Sequence, residues 1–315
     1  MTTATTDTYD QVGIREDLSD SIWDVSPEEV PFSSNCKRSS CASTGFDWQT
    51  DSLAAVSATN AVEGADPTFS VASATTRLDN ITAIIEKTAV VSGTLEATNR
   101  AGRGREMSYQ IVKRAKEIKR DFEHQLVGVS RAKDAGSASQ ARQTASYHAW
   151  IADNADLGTS GSPAVATGNG SDTMTDGTQR AFVEASLETV IDSIWNNGGM
   201  PDVIMAGSFN KRKITNFSGN SSEQNIDRSS KKIINAVSVY ESDYGTLKVV
   251  PNRFSRARDV FVYQSDMWKI RTLRGMKNSK IAKTGDSEKR QVIMEAGLEA
   301  CNALASGIVA DLTTA

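Results

Sequence analysis

At 315 residues the chain is long enough for two domains, and a hydrophobic fraction of 38% supplies a sizeable core. Lys and Arg number 35 against 39 Asp and Glu, so the net charge of −4 excludes the basic excess with which a dedicated nucleic-acid binder displaces phosphate counterions. No apolar run approaches the roughly 20 residues that span a bilayer, and the opening MTTATTDTYD lacks the regions of a signal peptide, so synthesis in a cytoplasm is expected.

Residues 1–12 are polar and Thr-rich. Ile14, Leu18, Ile22 and Val25 then recur at helical spacing on a short amphipathic segment. Ser26-Pro27-Glu28-Glu29 forms a capping box with proline at the first helical position. Pro31 is expected to cut that second helix to one turn, because it pushes Val30 toward an extended conformation. The whole reads as a jointed arm with apolar patches and no core of its own.

Cys36, Cys41 and Cys301 are odd in number and imply free thiols. No second Cys/His pair accompanies Cys36 and Cys41, so no zinc site is expected. From GFDWQTDSLA (45–54) to TRLDNITAIIEKTAVVSGT (76–94) the pattern predicts two long strands joined by a small-residue loop. Such a hairpin has little core and leans on other chains. Met107, Ile111, Ala115, Ile118, Phe122 and Leu126 then give one apolar stripe on a helix over about 106–127, ended by Gly128. At 1.5 Å per residue it is roughly 33 Å long.

Residues 130–178 are polar and glycine-rich except for YHAWI (147–151), and 158–177 reads as a long loop. Phe182 to Trp195 mark a helix ended by NNGG, PDVIMAG a short buried strand, and Ser208 the cap of a further helix. The stretches around 235–252 and 259–273 read as strand pairs, with turns at Asp243–Gly245 and Ser265–Asp266. The order is α+β. RQVIMEAGLEACNALASGIV fits a strand or a helix, and periodicity does not decide between them.

The chain offers no catalytic, cofactor-binding or metal-binding motif. Histidine occurs only at His124 and His148, and neither has a nucleophile beside it in sequence. The Gly-x-Gly of AGRGREM precedes a helix as a phosphate loop does. Met107 stands where a third glycine would, however, and no Lys-Ser/Thr pair follows, so the stretch reads as a joint. The basic clusters NRFSRARD (252–259) and KNSKIAK (277–283) read as solvated loops able to meet acidic surfaces.

Taken in order, GIREDLSDSIWDVSPEEVPF, FDWQTDSLA, AVEGAD, VVSGT and QVIMEAGLEACNALASGIV resemble the SU10-type major head proteins, tailed-phage capsid proteins of the HK97 fold. The resemblance covers nearly the whole chain and is weakest in 155–180 and 218–230. It implies an N-terminal arm (1–44), an extended loop or E-loop (45–93), and a peripheral domain (94–178 and 266–315) that carries the spine helix. It further implies an axial domain (179–265), and long strands at the C-terminus.

Functionally it implies a non-enzymatic structural protein. Such a protein assembles with copies of itself into the hexamers and pentamers of an icosahedral shell around double-stranded DNA. Assembly takes place in the host bacterial cytoplasm, and the product is the virion capsid. Portal, scaffolding and decoration proteins are the implied partners, DNA is an unspecific neighbour, and no membrane is involved. A ring-forming phage protein or an encapsulin-like compartment shell is the alternative.

On this reading Ile14, Leu18, Ile22, Trp23, Val30 and Phe32 are expected to become buried only on assembly. Asp66, Asp79 and Glu86 are expected to pair between subunits with Arg105, Lys113, Arg114 and Arg120. Gly93, Gly102 and Gly104 are the expected hinge.

Overall fold

A computed structural model describes residues 29–314, apart from 57, 59, 65, 67, 68, 70–73, 99–103, 165–167, 218–225, 228–231 and 234–237. The expected contacts Ile14, Leu18, Ile22 and Trp23 and the expected hinge residue Gly102 lie outside the described residues, as does most of the capping box.

The described chain starts with a correction. Pro31 begins a helix, α1 (Pro31–Asn35), rather than ending one. Val30 is extended at φ −127°, as a residue before proline should be. Pro31 then occupies the first turn, where its missing N–H costs nothing. Next come β1 (Lys37–Ser40), the antiparallel pair β2 (Gly45–Thr50) and β3 (Thr76–Ile81), and β4 (Ala83–Ser92). The two long strands expected over 45–93 are therefore shorter. Gly45 pairs with Ile81 and Thr50 with Thr76, while β4 leaves the hairpin for another sheet. After α2 (Gly93–Ala97), the long amphipathic helix α3 runs Glu106–Glu123 and continues as one π-helical turn, His124–Gly128.

Beyond the polar insert and β5 (Ala155–Asp156) lie α4 (Glu184–Asn196), β6 (Val203–Ala206) and α5 (Ser208–Thr215). Gly207 rather than Ser208 caps α5. Then follow the small pair β7 (Ile226–Asp227) and β8 (Lys232–Ile233), the hairpin β9 (Val239–Ser242) and β10 (Gly245–Pro251), and β11 (Val260–Tyr263). The long strands β12 (Trp268–Ile281) and β13 (Ser287–Ala300) and the short β14 (Ser306–Val309) close the chain.

Two sheets result. One has four strands in the order β1-β12-β13-β4, the other six in the order β5-β14-β11-β6-β10-β9. The turn at Ser265–Met267 does not join a strand pair, as expected from sequence. It carries the chain from one sheet to the other, since β11 pairs with β14 and β6, and β12 with β1 and β13. The C-terminal segment is a strand. Ala296, Leu298 and Ala300 alternate inward toward the core, and Gly297 faces the β2–β3 hairpin so closely that a Cβ would lie 2.7 Å from the Phe46 ring.

The main core joins both sheets around an aromatic cluster. Phe32 meets Tyr147, Tyr263 and Trp268 edge-on at centroid distances of 5.4–5.9 Å. The Tyr147 hydroxyl lies 2.9 Å from the Gly307 carbonyl of β14 and 3.1 Å from the Val262 carbonyl of β11, so its one proton is shared between them, and Trp268 Nε1 donates to Ser306 Oγ. A second core lies between α4, α5 and the six-stranded sheet, built on Leu187, Ile191, Ile194, Ile214 and Leu247. Phe32, expected to wait for a neighbouring chain, is instead fully buried in the chain's own core, while Val30 is half-buried. Large aromatic burial of this kind is among the strongest stabilising contributions in a fold.

Candidate assembly surfaces

Several buried polar groups tie elements of the fold together. Asn80 is fully buried: its amide donates to Thr144 Oγ1 and the Leu298 carbonyl, and its carbonyl accepts from the backbone of Ile81 and Ala145. It thereby ties the hairpin to the insert and to β13. Glu295 and Glu299 point from β13 away from the core. Arg142 and Arg274 pair with Glu295, and Lys269 and Arg271 with Glu299.

Ser146, His148 and Asp259 form a series that sequence reasoning could not assemble. Ser146 Oγ lies 3.5 Å from His148 Nδ1, and His148 Nε2 lies 2.9 Å from Asp259. All three are fully buried, and Ser146 Oγ also bonds the backbone of Arg131. A nucleophile needs access to its substrate as well as a base, and this series holds the insert to the segment just ahead of β11. Among the described residues no group of three or more His, Cys, Asp or Glu is arranged to hold a metal, and no helix is long and apolar enough to cross a membrane.

The basic cluster 252–259 is not a solvated loop. Arg256 grips Asp176 through two 2.7 Å bonds, and Arg258 pairs with Asp176 and Asp311. Partial burial opposes the charge on Asp176, but the hydrogen bonds and charges of Arg256 and Arg258 outweigh it and hold the carboxyl below its usual range. Burial pushes the Cys36 thiol far up, with Glu123 adding to the effect. The three cysteines are free.

Several residues expected to reach between subunits have partners in their own chain. Asp79 pairs with Lys133 at 2.8 Å, Arg105 with Glu96 at 3.1 Å, and Arg114 with Glu117 at 2.7 Å one turn along α3. Glu86 accepts from the Gln291 side chain, and the Arg120 guanidinium sits 6.0 Å over the Phe254 ring. Asp66 and Lys113 are exposed. Gly93 is pinned: its N–H bonds the Asp286 carbonyl at 3.1 Å, and a Cβ there would lie 2.3 Å from Asp286 Oδ1. Gly104 faces open space.

What remains open is apolar and charged. The segment between β2 and β3 exposes Leu53, Val56, Val62 and Phe69. From 51 to 75 it contains Asp51, Glu63 and Asp66 and no Lys or Arg. On the four-stranded sheet, Ile85, Ala89 and Val91 face inward, Ala89 and Val91 clustering with Met107 of α3. The opposite face is covered at one end, where Arg142 and Arg274 close over Glu295 in register with Ile84, and is open beyond it, where Glu86 also stands. Ile84 and Val90 are exposed on β4, Ile281 is exposed on β12, and Lys277 and Lys289 stand beside them in register with Ile293 and Val90. Exposed apolar patches of this kind mark interaction surfaces.

A family profile described as SU10 major capsid protein matches residues 1–313. The major capsid protein of Escherichia phage Phieco32 is 30% identical over 334 aligned positions, which cover 96% of this chain and 95% of that one. Similar solved structures include chains from Gordonia phage Cozz (TM-score 0.61, 10% identity, 94% of this chain and 91% of that one) and from the capsid of the native GTA particle (TM-score 0.62, 9% identity, 95% and 96%). A chain from Mycobacterium phage Adephagia has a TM-score of 0.57 at 11% identity, with 94% of each chain covered.

Proposed function

The chain belongs to the SU10 major capsid protein family, and from that premise we propose how its open surfaces close the shell. It is a phage major capsid protein of HK97-like fold that forms the capsid shell. Neither a ring-forming phage protein nor an encapsulin-like compartment shell fits that membership.

Within the shell, the segment between β2 and β3 of one subunit lies across the open part of the outer face of the four-stranded sheet of the next. The observation that carries this is complementarity. The segment presents Leu53, Val56, Val62 and Phe69 with acidic residues as its charged residues, and the sheet face presents Ile84, Val90 and Ile281 with Lys277 and Lys289 beside a single exposed Glu86 on β4. Each large side chain so covered contributes about 1.5–3 kcal/mol. The contact is heterologous, so repeating it closes rings, here hexamers and pentamers. Residues 1–28, with Ile14, Leu18, Ile22 and Trp23, add a second strap to a neighbour.

The subunit carries no catalytic role. Scaffolding, portal and decoration proteins are its further partners, packaged DNA is an unspecific neighbour, and assembly proceeds in the host bacterial cytoplasm. Leu53→Asp combined with Phe69→Asp is expected to give folded subunits that do not form shells in negative-stain images. Normal shells from this variant would refute the overlap.

A further inference from the structure

One groove of the axial region is not used by the overlap just described. It lies between α4 and the β9–β10 hairpin, has a volume of about 570 Å³, and is floored by Ile191, Ile214 and Phe217. Five carboxylates line it, Glu184, Glu188 and Asp192 from successive turns of α4 and Glu241 and Asp243 from the hairpin, with no Lys or Arg among the lining residues. Among the described residues Glu188, Asp192, Glu241 and Asp243 make no ion pair. At its mouth Tyr244, 39% exposed, packs against Trp195, 51% exposed, with ring centroids 5.0 Å apart. An exposed aromatic pair rimmed by carboxylates has the chemistry that receives a guanidinium or ammonium group: an aromatic face for cation–π contact and carboxylates for charge.

The same region carries the complementary element. Arg212 and Lys213 are exposed on α5, and both lie over the Phe209 ring, at 5.7 and 5.3 Å. Neither makes an ion pair among the described residues. A head-to-tail ring requires two different, mutually complementary surfaces on every subunit, and opposite charge fixes their register while rejecting wrong ones.

We propose that on assembly the acidic, aromatic-rimmed groove between α4 and the β9–β10 hairpin of one subunit receives the Arg212–Lys213 step of α5 from a second copy. The contact rests on the chain's place in a shell and adds a charge-specified joint between axial regions. It explains why like charges are concentrated on facing elements with no cation from the lining residues between them. Such a site in the isolated subunit lacks the cation that a partner would bring.

Charge exchange tests it. Glu188→Lys with Asp192→Lys, or Arg212→Glu with Lys213→Glu, is expected to leave the unfolding midpoint of the subunit near its original value. Either pair should raise the concentration needed for capsomer formation at least about tenfold. All four substitutions together are expected to restore assembly. Half-variants that assemble as the unaltered protein does, or a combined variant no better than its halves, overturn the contact. In either case unaltered shells leave the capsid function standing.

If a half-variant does not fold, Asp243→Cys combined with Lys213→Cys decides. A ladder of multimers in oxidised particles is expected, absent from each single-cysteine variant, and a monomer band alone overturns the contact. Loss of DNA retention without loss of assembly in Arg212→Glu/Lys213→Glu also overturns it, and assigns the step to the packaged DNA.

Discussion

The carboxylate of Glu123, at the end of the long helix, accepts the backbone N–H of Phe32 at 2.7 Å and so fixes where the arm enters the body. Its other oxygen accepts Ser33 N–H at 2.8 Å, and Asn252 Nδ2 donates at 2.7 Å to the oxygen that Phe32 also uses. These are the unpaired N–H groups at the start of α1, where a negative charge also meets the positive end of the helix dipole. Glu123 is fully buried, so the bonds are made out of water. Glu123→Ala leaves three donors without an acceptor and is expected to destabilise the subunit by about 3 kcal/mol. Glu123→Gln keeps one acceptor and should cost less. Thermal unfolding of the unassembled subunit measures both, and an unchanged midpoint in Glu123→Ala would show that the bonds contribute nothing.

Phe32 makes the arm divisible. Deleting residues 1–28 leaves the aromatic cluster intact, so the subunit should unfold at its normal temperature while assembling poorly. Phe32→Ala empties the centre of that cluster and is expected to cost about 3–5 kcal/mol in the subunit itself. A deletion through residue 34 combines both losses and cannot separate them. The comparison requires unfolding curves beside particle yields. Equal stability of Phe32→Ala and the unaltered subunit would return Phe32 to the assembly interface.

Acid should loosen the junction between the insert and the segment ahead of β11. The Asp176 carboxyl is held below its ordinary value of 3.8, because Arg256 and Arg258 outweigh the effect of burial. A depressed folded pKa contributes stability that is full above the unfolded value and is lost as pH falls through the folded one. The sensitive window is therefore below about pH 4. Asp176 is 42% exposed, so its pairs contribute at most about 1 kcal/mol at neutral pH. Asp176→Asn is expected to lower neutral stability by that amount and to flatten the acid limb of stability against pH. A limb of unchanged slope would remove Asp176 from the acid response.

The long helix and the buried strand Val203–Ala206 were legible because each lies on a single period, 3.6 or near-continuous apolar, within one element. The strand character of 287–300 was not decided by periodicity, since Ala, Gly and Met serve either state, and only the family resemblance pointed to it. Pro31 misled because the same residue both disfavours helix before it and initiates one after it. Phe32 misled because its partners Tyr147, Tyr263 and Trp268 lie more than a hundred residues away, and nothing local reports them. The open surfaces were hardest. Asp79, Arg105 and Arg114 are charged like any interface residue, and only coordinates reveal that Lys133, Glu96 and Glu117 already hold them. Conversely, the acids that neutralise 252–259 sit at Asp176, inside the stretch that reads as a loop, and at Asp311, near the end of the sequence, with nothing local to link either to the cluster.

The glycines before the long helix divide by their surroundings. Gly93 is bonded to Asp286 and leaves no room for a Cβ, so Gly93→Ala must displace the Asp286 side chain and should cost about 1 kcal/mol without freeing any motion. Gly104 meets nothing within 4 Å and has no left-handed backbone, so Gly104→Ala should be tolerated and stabilise by about 0.4–1 kcal/mol through the unfolded chain. From the sequence a hinge is expected at Gly93, Gly102 and Gly104, and a hinge there predicts that particles change radius on packaging through this link. Proline at both 102 and 104 restricts that link while leaving α3 intact. The expected result is helical subunits that assemble into particles of one compact radius, read by light scattering or cryo-microscopy before and after packaging. Particles of the double-proline variant that expand to the normal radius would place the moving joint elsewhere in the subunit.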